Sequence, residues 1–196
     1  STVGGSWHLC AFVKQLGLPL VVSASLWVTP ETARDYPMKE IGDQLALADR
    51  IVVNSDLEAE ALAPLVGLPR DHFATVYNGV DKRFFAPGDP GLARKAWGLG
   101  EAPFVLCVGN LEPRKNQLRL VRAMKSLPGY RLVLLGQARD KSYADAVLAE
   151  GGAQVFSPGA VPHESEVLTS AYAGCAAFSL PSLLGTPGLP ALQAGA

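Results

Sequence analysis

Short apolar runs alternate with longer stretches of helical periodicity along most of the chain. Brief continuous apolar runs are typical of strands buried on both faces in a parallel sheet, and the spacing between them predicts helices. We predict strands at 18–25, 50–55, 74–77, 104–109, 131–136, 153–156 and 176–180. Strands alternating with helices predict an α/β fold built from two Rossmann-like parallel-sheet units.

Turn-forming residues interrupt this alternation once. The pair Asn78-Gly79 is followed by Pro87, Gly88 and further prolines and glycines up to residue 91. Such residues break regular structure and are common in linkers between domains. We therefore predict a first domain at 1–80, an interdomain linker at 81–91 and a second domain at 92–196.

The last predicted strand leads into the stretch LPSLLGTPGLPALQAGA, which covers 180–196. It predicts a strand end, a Gly/Thr/Pro turn and a helix whose first turn contains Leu189 and Pro190. Backbone N–H groups at a helix start lack partners within the helix and the helix dipole is positive there, so the position suits a phosphate. The same residues also fit an ordinary strand-to-helix connection of an α/β domain.

Composition and charge exclude several classes of function. The 196 residues have a formal net charge of −1, and no basic run is interleaved with aromatic residues, which argues against nucleic-acid binding. The three cysteines lie far apart in apolar surroundings, as expected for reduced, buried thiols. No CxxC, HExxH or Walker motif occurs, no metal is implied, and no apolar run reaches the roughly 18 residues of a membrane-spanning helix.

Three separated motifs resemble family 4 of the retaining, nucleotide-sugar-dependent glycosyltransferases, which have the two-domain GT-B fold. In chain order they read VYNGVDKRFFAP, VGNLEPRKNQLRLVRA and GAVPHESEVLTSAYAGCAAFSLPSLLGTPGLPALQA. The resemblance covers nearly the whole chain. It implies two Rossmann-like units in GT-B style, each incomplete because the chain corresponds to the later part of the acceptor domain and the first part of the donor domain.

The resemblance also implies a donor site in the second domain. Lys115 would contact the donor diphosphate with Arg114 beside it, and Asn110 stands where the family more often has arginine. The stretch around Val161 would meet the base. The remaining implied contacts to phosphate, sugar and ribose fall on Gly185, Thr186, Gly188, Leu189 and Gln193. From the residues alone, Arg114 and Lys115 would be a solvated loop pair.

Both glutamates of the family's paired-glutamate motif are absent. Gly185 and Gln193 occupy their positions. Glycine offers no side chain to the donor sugar, and glutamine has neither the charge nor the second acceptor oxygen of a glutamate. These departures concern catalysis more than the fold. Because the resemblance is to a longer protein, we also expect an oligomer, a missing partner segment or marginal stability.

The resemblance implies transfer of a sugar from a GDP-, UDP- or ADP-linked donor to a glycan or glycolipid hydroxyl with retention of configuration. It implies no cofactor, and it points to polysaccharide synthesis in the cytoplasm at the inner face of a bacterial membrane. The alternative is a transferase-like fragment that binds a nucleotide or a partner protein without turnover. We assign no catalytic residue: His8 and His72 are expected to be structural, and His163 to cap a helix or face solvent.

Overall fold

The computed structural model describes residues 6–86, 88–183 and 188–196. The chain divides into two compact units, and the division falls between Gly79 and Val80. Each unit contains one parallel β-sheet, with three strands in the first unit and four in the second. The α/β prediction with parallel sheets is therefore confirmed.

Among its described residues, the first unit has three α-helices and three strands in alternation. They are α1 (Trp7–Gln15), β1 (Val21–Ser23), α2 (Met38–Leu45), β2 (Arg50–Val53), α3 (Asp56–Val66) and β3 (Phe73–Thr75). The sheet order is β1-β2-β3. Pro37 immediately precedes α2, where a proline is tolerated, because proline cannot donate the backbone hydrogen bond that a helix interior needs.

Buried side chains from α2, β2 and α3 form the core of the first unit. Ile41, Ile51 and Leu62 are almost completely inaccessible to solvent. The helix α3 starts where the Ser55 hydroxyl accepts from the Glu58 N–H at 3.1 Å. The Glu58 carboxylate is fully buried and accepts from the Leu26 N–H at 2.6 Å and the Asn54 N–H at 2.7 Å. This one side chain therefore ties together the segments that follow β1 and β2.

The first strand differs from the sequence prediction. The run at 18–25 was expected to be buried on both faces, but β1 covers only Val21–Ser23 and the Val21 side chain is 63% exposed. The reason is its place in the sheet. Among the described residues β1 pairs only with β2, so it is an edge strand.

The second unit continues the alternation with five helices and four strands among the described residues. They are α4 (Pro90–Trp97), β4 (Phe104–Val108), α5 (Gln117–Met124), β5 (Arg131–Leu135), α6 (Lys141–Gly151), β6 (Val155–Gly159), α7 (Glu166–Gly174), β7 (Ala177–Phe178) and α8 (Leu189–Ala194). The sheet order is β6-β5-β4-β7.

Helices cover both faces of the second sheet. Along β4, Phe104 and Leu106 pack in the cluster that includes Leu168 of α7, whereas Val105 and Cys107 pack with the cluster that includes α5 and α6. Side chains alternate between the two faces of a strand, so a strand covered on both faces reads as a continuous apolar run. The run at 104–109 follows this rule.

The strand order of the second unit changes direction at β4. The strands β5 and β6 lie on one side of β4, and β7 lies on the other side. In open parallel sheets, ligands bind in the crevice outside the carboxyl ends of the strands where the order reverses. The segments that follow β4 and β7 leave the sheet at this end, and the first of them contains the predicted donor residues Asn110, Arg114 and Lys115. Val161 follows β6 at the same end of the sheet.

Candidate functional site

Two glycines form the close contact at the carboxyl ends of β4 and β5. The Gly109 N–H donates to the Leu135 carbonyl at 2.9 Å, and the Gly136 N–H donates to the Gly159 carbonyl at 3.0 Å. A Cβ added to Gly136 would lie 2.2 Å from the Gly109 carbonyl oxygen. Only glycine allows this approach of the two backbones, so position 136 has no room for a side chain.

A cleft with a volume of about 340 Å³ opens beside these glycines. Its walls come from the strand ends, the segment after β6 and the start of α8. The lining residues include Gly109, Asn110, Val161, His163, Leu189 and Gln193. Four of the residues predicted from the sequence, Asn110, Val161, Leu189 and Gln193, thus lie around one cavity.

Lys115 is not one of the described residues that line this cleft, but its side chain lies against Gly109, which does line it. Its Nζ is 3.9 Å and its Cε 3.7 Å from the point where a Cβ on Gly109 would stand. Among the described residues, the Lys115 ammonium has no hydrogen-bond acceptor and no ion-pair partner within 4 Å. Partial burial lowers the pKa of Lys115, and the neighbouring Arg114 charge lowers it further, against smaller opposing effects of Glu112 and Cys107. This is a partly desolvated cation without a counter-ion of its own.

Arg114 differs from Lys115 because it already has a counter-ion. Its Nη2 lies 2.8 Å from Oε1 of Glu112, and its side chain is 51% exposed. Its backbone carbonyl accepts from the Leu183 N–H at 2.9 Å. The Asn116 amide donates to the Pro181 carbonyl at 3.2 Å. The loop after β4 is therefore fastened to the segment after β7, at the same end of the sheet.

Asn110 lines the cleft, and its side chain contacts the backbone of the segment after β5. Its Oδ1 accepts from the Gln137 N–H at 3.4 Å, and its own carbonyl accepts from the Gln117 amide at 2.8 Å. Gln117 is almost fully buried. Asn110 therefore fixes the shape of the loop, and it adds no charge where the resemblance suggests that an arginine is more usual.

Gln193 of α8 is 8% exposed, and its Oε1 accepts from the Tyr172 hydroxyl at 3.0 Å. The Tyr172 ring packs edge-on against Phe84, with ring centroids 5.6 Å apart, and lies 5.7 Å from Phe178. Burial raises the pKa of the Tyr172 phenol, so the hydroxyl remains a donor at neutral pH. Sequence reasoning missed Tyr172, because nothing in its local pattern distinguishes it from a core aromatic residue.

The other predicted positions lie at or near the cleft, or outside the described residues. Gly188 precedes α8, and a Cβ there would lie 2.9 Å from the Leu180 side chain. Gly185 and Thr186 lie outside the described residues. His163 lines the cleft and packs against Phe84, with ring centroids 5.5 Å apart. His163 is also exposed, in agreement with the expectation that it caps a helix or faces solvent.

The first unit contains a larger cleft of different character. Its volume is about 790 Å³, and its lining combines β1 with residues of α1 and α2. Apart from hydroxyls, the Cys10 thiol and the Gln44 amide, the lining residues are apolar and none is charged. A binding site for a diphosphate needs cations or free amide donors, so this cleft is the poorer candidate.

The described residues hold neither a candidate metal site nor a candidate membrane-spanning helix. They contain no cluster of three or more histidine, cysteine, aspartate or glutamate residues that would hold a metal ion. They also contain no helix that combines the length and hydrophobicity needed to cross a membrane.

Comparison with solved structures defines the class of the fold. The chain superimposes on Anabaena Alr3699/HepE in complex with UDP with a TM-score of 0.81 at 18% identity, over 98% of this chain and 55% of the other. The same protein in complex with UDP-glucose gives a TM-score of 0.80 at 20% identity, over 94% and 53%. At these identities the likeness establishes the fold, which is that of GT-B glycosyltransferases.

Sequence comparison defines the family. The family described as "Glycosyl transferases group 1" matches residues 92–196. The D-inositol 3-phosphate glycosyltransferase of Mycolicibacterium smegmatis is 30% identical over 175 residues, which are 84% of this chain and 40% of that protein. The chain belongs to the group 1 glycosyltransferases. It spans about two fifths of the length of this curated relative.

Proposed function

We propose that this chain acts in the transfer of a sugar from a nucleotide-diphosphate sugar to an acceptor hydroxyl, with retention of configuration, and that Lys115 holds the donor diphosphate. The observation that carries the proposal is the Lys115 ammonium. It is partly buried, lies against Gly109, which lines the cleft, and has no protein counter-ion among the described residues. A cation in that state gains most from an anionic ligand.

The position of this cation supports a diphosphate more than another anion. The cleft lies where the strand order of the sheet reverses, and its lining includes the apolar residues Val161, Leu168 and Leu189 together with the polar residues Asn110, His163 and Gln193. A nucleotide sugar has a charged diphosphate between two uncharged, hydroxyl-bearing ends, which fits one cation beside a lining that is uncharged apart from it and that mixes apolar and polar side chains. The Anabaena Alr3699/HepE structures hold UDP or UDP-glucose at TM-scores of 0.81 and 0.80, and starch synthase IV from Arabidopsis thaliana holds ADP at a TM-score of 0.58. The higher structural similarity of the former favours a uridine nucleotide among the GDP-, UDP- and ADP-linked donors.

The proposed chemistry follows from where charge develops. When the bond between the sugar and the diphosphate breaks, negative charge increases on the departing phosphate oxygens. A preorganised ammonium beside those oxygens stabilises the transition state more than the ground state. Because Arg114 is paired with Glu112, we assign the larger share of this stabilisation to Lys115. The acceptor, a glycan or glycolipid hydroxyl, belongs to the same proposal.

The test is isothermal titration of the chain with UDP, GDP and ADP and with their sugar conjugates, followed by an assay of donor turnover. We expect one diphosphate series to bind and the matching nucleoside to bind far more weakly. We also expect release of the diphosphate, with a product that keeps the donor's anomeric configuration by NMR. Binding without turnover in the presence of acceptors would contradict the transferase proposal and leave a nucleotide-binding protein.

A further inference from the structure

The side-chain amide of Gln193 has two ends, and the structure leaves only one of them available. Its Oε1 accepts from the Tyr172 hydroxyl at 3.0 Å. Its Nε2 makes no hydrogen bond to any described residue, and it is not fully enclosed by protein atoms. A ligand in the cleft can therefore reach it. Since Gln193 lines the cleft, the accessible end of its amide is the donor end.

The orientation of this amide is set by Tyr172. A phenol has only one hydrogen to donate, and Tyr172 donates it to Oε1 of Gln193. Its ring is packed against Phe84 and Phe178, so the hydroxyl is held in place. If the Gln193 amide were rotated by half a turn, its NH2 group would face the hydrogen of the Tyr172 hydroxyl. The hydroxyl would then have to turn away, and its hydrogen would lose Oε1 of Gln193 as an acceptor.

We infer that Tyr172 is a positioning residue that fixes Gln193 with its N–H groups toward the cleft, so that the bound nucleotide sugar presents a hydroxyl oxygen there as an acceptor. The inference rests on the proposed function, and it adds that the ligand hydroxyl at residue 193 must accept a hydrogen bond. A carboxylate at position 193 would impose the opposite rule, because it only accepts and the ligand hydroxyl would then have to donate. The hydroxyl belongs either to the ribose or to the transferred sugar.

A hydroxyl both donates and accepts, so it satisfies either side chain and affinity for the natural ligand alone does not test the inference. Replacing a ligand hydroxyl by fluorine separates the two cases. Fluorine keeps a weak acceptor and removes the donor. A protein that donates at this point tolerates the replacement, and a protein that accepts there loses its hydrogen bond and places its own lone pairs against the fluorine.

The experiment measures dissociation constants of UDP, 2′-fluoro-2′-deoxy-UDP and 3′-fluoro-3′-deoxy-UDP, and of UDP-glucose and UDP-2-fluoroglucose, for the native chain and for Gln193→Glu. In the native chain we expect each replacement to weaken binding by less than about threefold. In Gln193→Glu we expect one of them to weaken binding by about tenfold or more, because hydrogen bonds to a charged acceptor are the stronger ones. The position of that fluorine tells ribose from transferred sugar.

The role of Tyr172 is tested by Tyr172→Phe, which keeps the ring and removes the hydroxyl. The released amide then turns to offer its oxygen as well, so the fluorine penalty should rise toward that of Gln193→Glu. The matched control is Tyr143→Phe, which removes a hydroxyl that accepts from the Leu118 N–H at 3.0 Å in the same unit. It should leave every ratio unchanged, and unfolding midpoints of both variants show that the chain is intact.

Equal fluorine penalties in the native chain and in Gln193→Glu at every position would overturn the inference. An unchanged penalty in Tyr172→Phe would remove the positioning role. Neither result affects the proposed function as long as UDP binds and depends on Lys115. Absence of binding by every nucleotide would instead remove the proposed function, and the inference with it.

Discussion

Neutralising Lys115 should weaken diphosphate binding selectively. The best replacement is Lys115→Met, because the lysine stem packs on Gly109 with its Cε and Cδ 3.7 and 3.8 Å from the position of an added Cβ. Methionine keeps an unbranched apolar stem and removes the ammonium. The substitution therefore changes the charge at the cleft with little change in packing.

The size of the effect follows from the contact that is lost. A hydrogen bond between an ammonium and a phosphate oxygen contributes about 1.5–3 kcal/mol, which corresponds to roughly a 10- to 150-fold change in dissociation constant. Lys115 is only partly buried, so salt screens part of the interaction and we expect the lower half of this range at physiological ionic strength. The nucleoside uridine has no phosphate, and its affinity should change by less than about twofold.

The assay is isothermal titration of both proteins with UDP and uridine at two salt concentrations. The matched control is Lys141→Met, because Lys141 lies in the same unit but is 85% exposed and paired with Asp145 at 2.8 Å. We expect the loss with Lys115→Met to shrink as salt is added. An equal loss for UDP and uridine, or an equal effect of Lys141→Met, would refute the assignment of the diphosphate to Lys115.

Three further predictions test the fold and the site. The substitution Gly136→Ala should lower the free energy of unfolding in urea by about 2 kcal/mol or more, because the new methyl would overlap the Gly109 carbonyl, whereas Gly129→Ala, which meets no atom within 4 Å, should leave it nearly unchanged. The substitution Glu58→Gln should destabilise the first unit by about 2–4 kcal/mol in thermal unfolding, because an amide NH2 group would then face a backbone N–H in place of a carboxylate oxygen. The control is Glu60→Gln at an exposed position, and equal effects of the two substitutions would contradict the role of Glu58. Finally, UDP affinity should fall as pH rises through the lowered pKa of Lys115, below its ordinary value of 10.5, because only the ammonium form binds phosphate, and this fall should be missing in Lys115→Met.

Local signals predicted most of the secondary structure. Pro37 marked a break, and the Ser55 side chain caps α3, which ends at Gly67 with a φ of +68°. These signals are readable because proline, a capping hydroxyl and a left-handed glycine act within one turn of chain. The open edge at β1 was not readable, because the neighbours of a strand in its sheet are chosen by distant segments.

The sequence indicated which segments come together at the candidate site, and it did not indicate the electrostatics there. The order of the motifs indicated the loops after β4 and β7, and the structure fastens these loops together through the Arg114 carbonyl and the Leu183 N–H. The charge state of the loop was not readable from the residues alone, since the pairing of Arg114 with Glu112 depends on how the loop folds. The bond between Tyr172 and Gln193 joins residues on different helices, and no pattern within either helix reveals it.

The most direct test of the account is a crystal structure of the chain grown with UDP. We expect the diphosphate at the carboxyl ends of β4 and β7, with a phosphate oxygen at hydrogen-bond distance, about 2.7–3.2 Å, from the Lys115 Nζ. Two results would contradict the account: electron density for the nucleotide in the larger cleft of the first unit, or density in the cleft of the second unit with the phosphates turned away from Lys115.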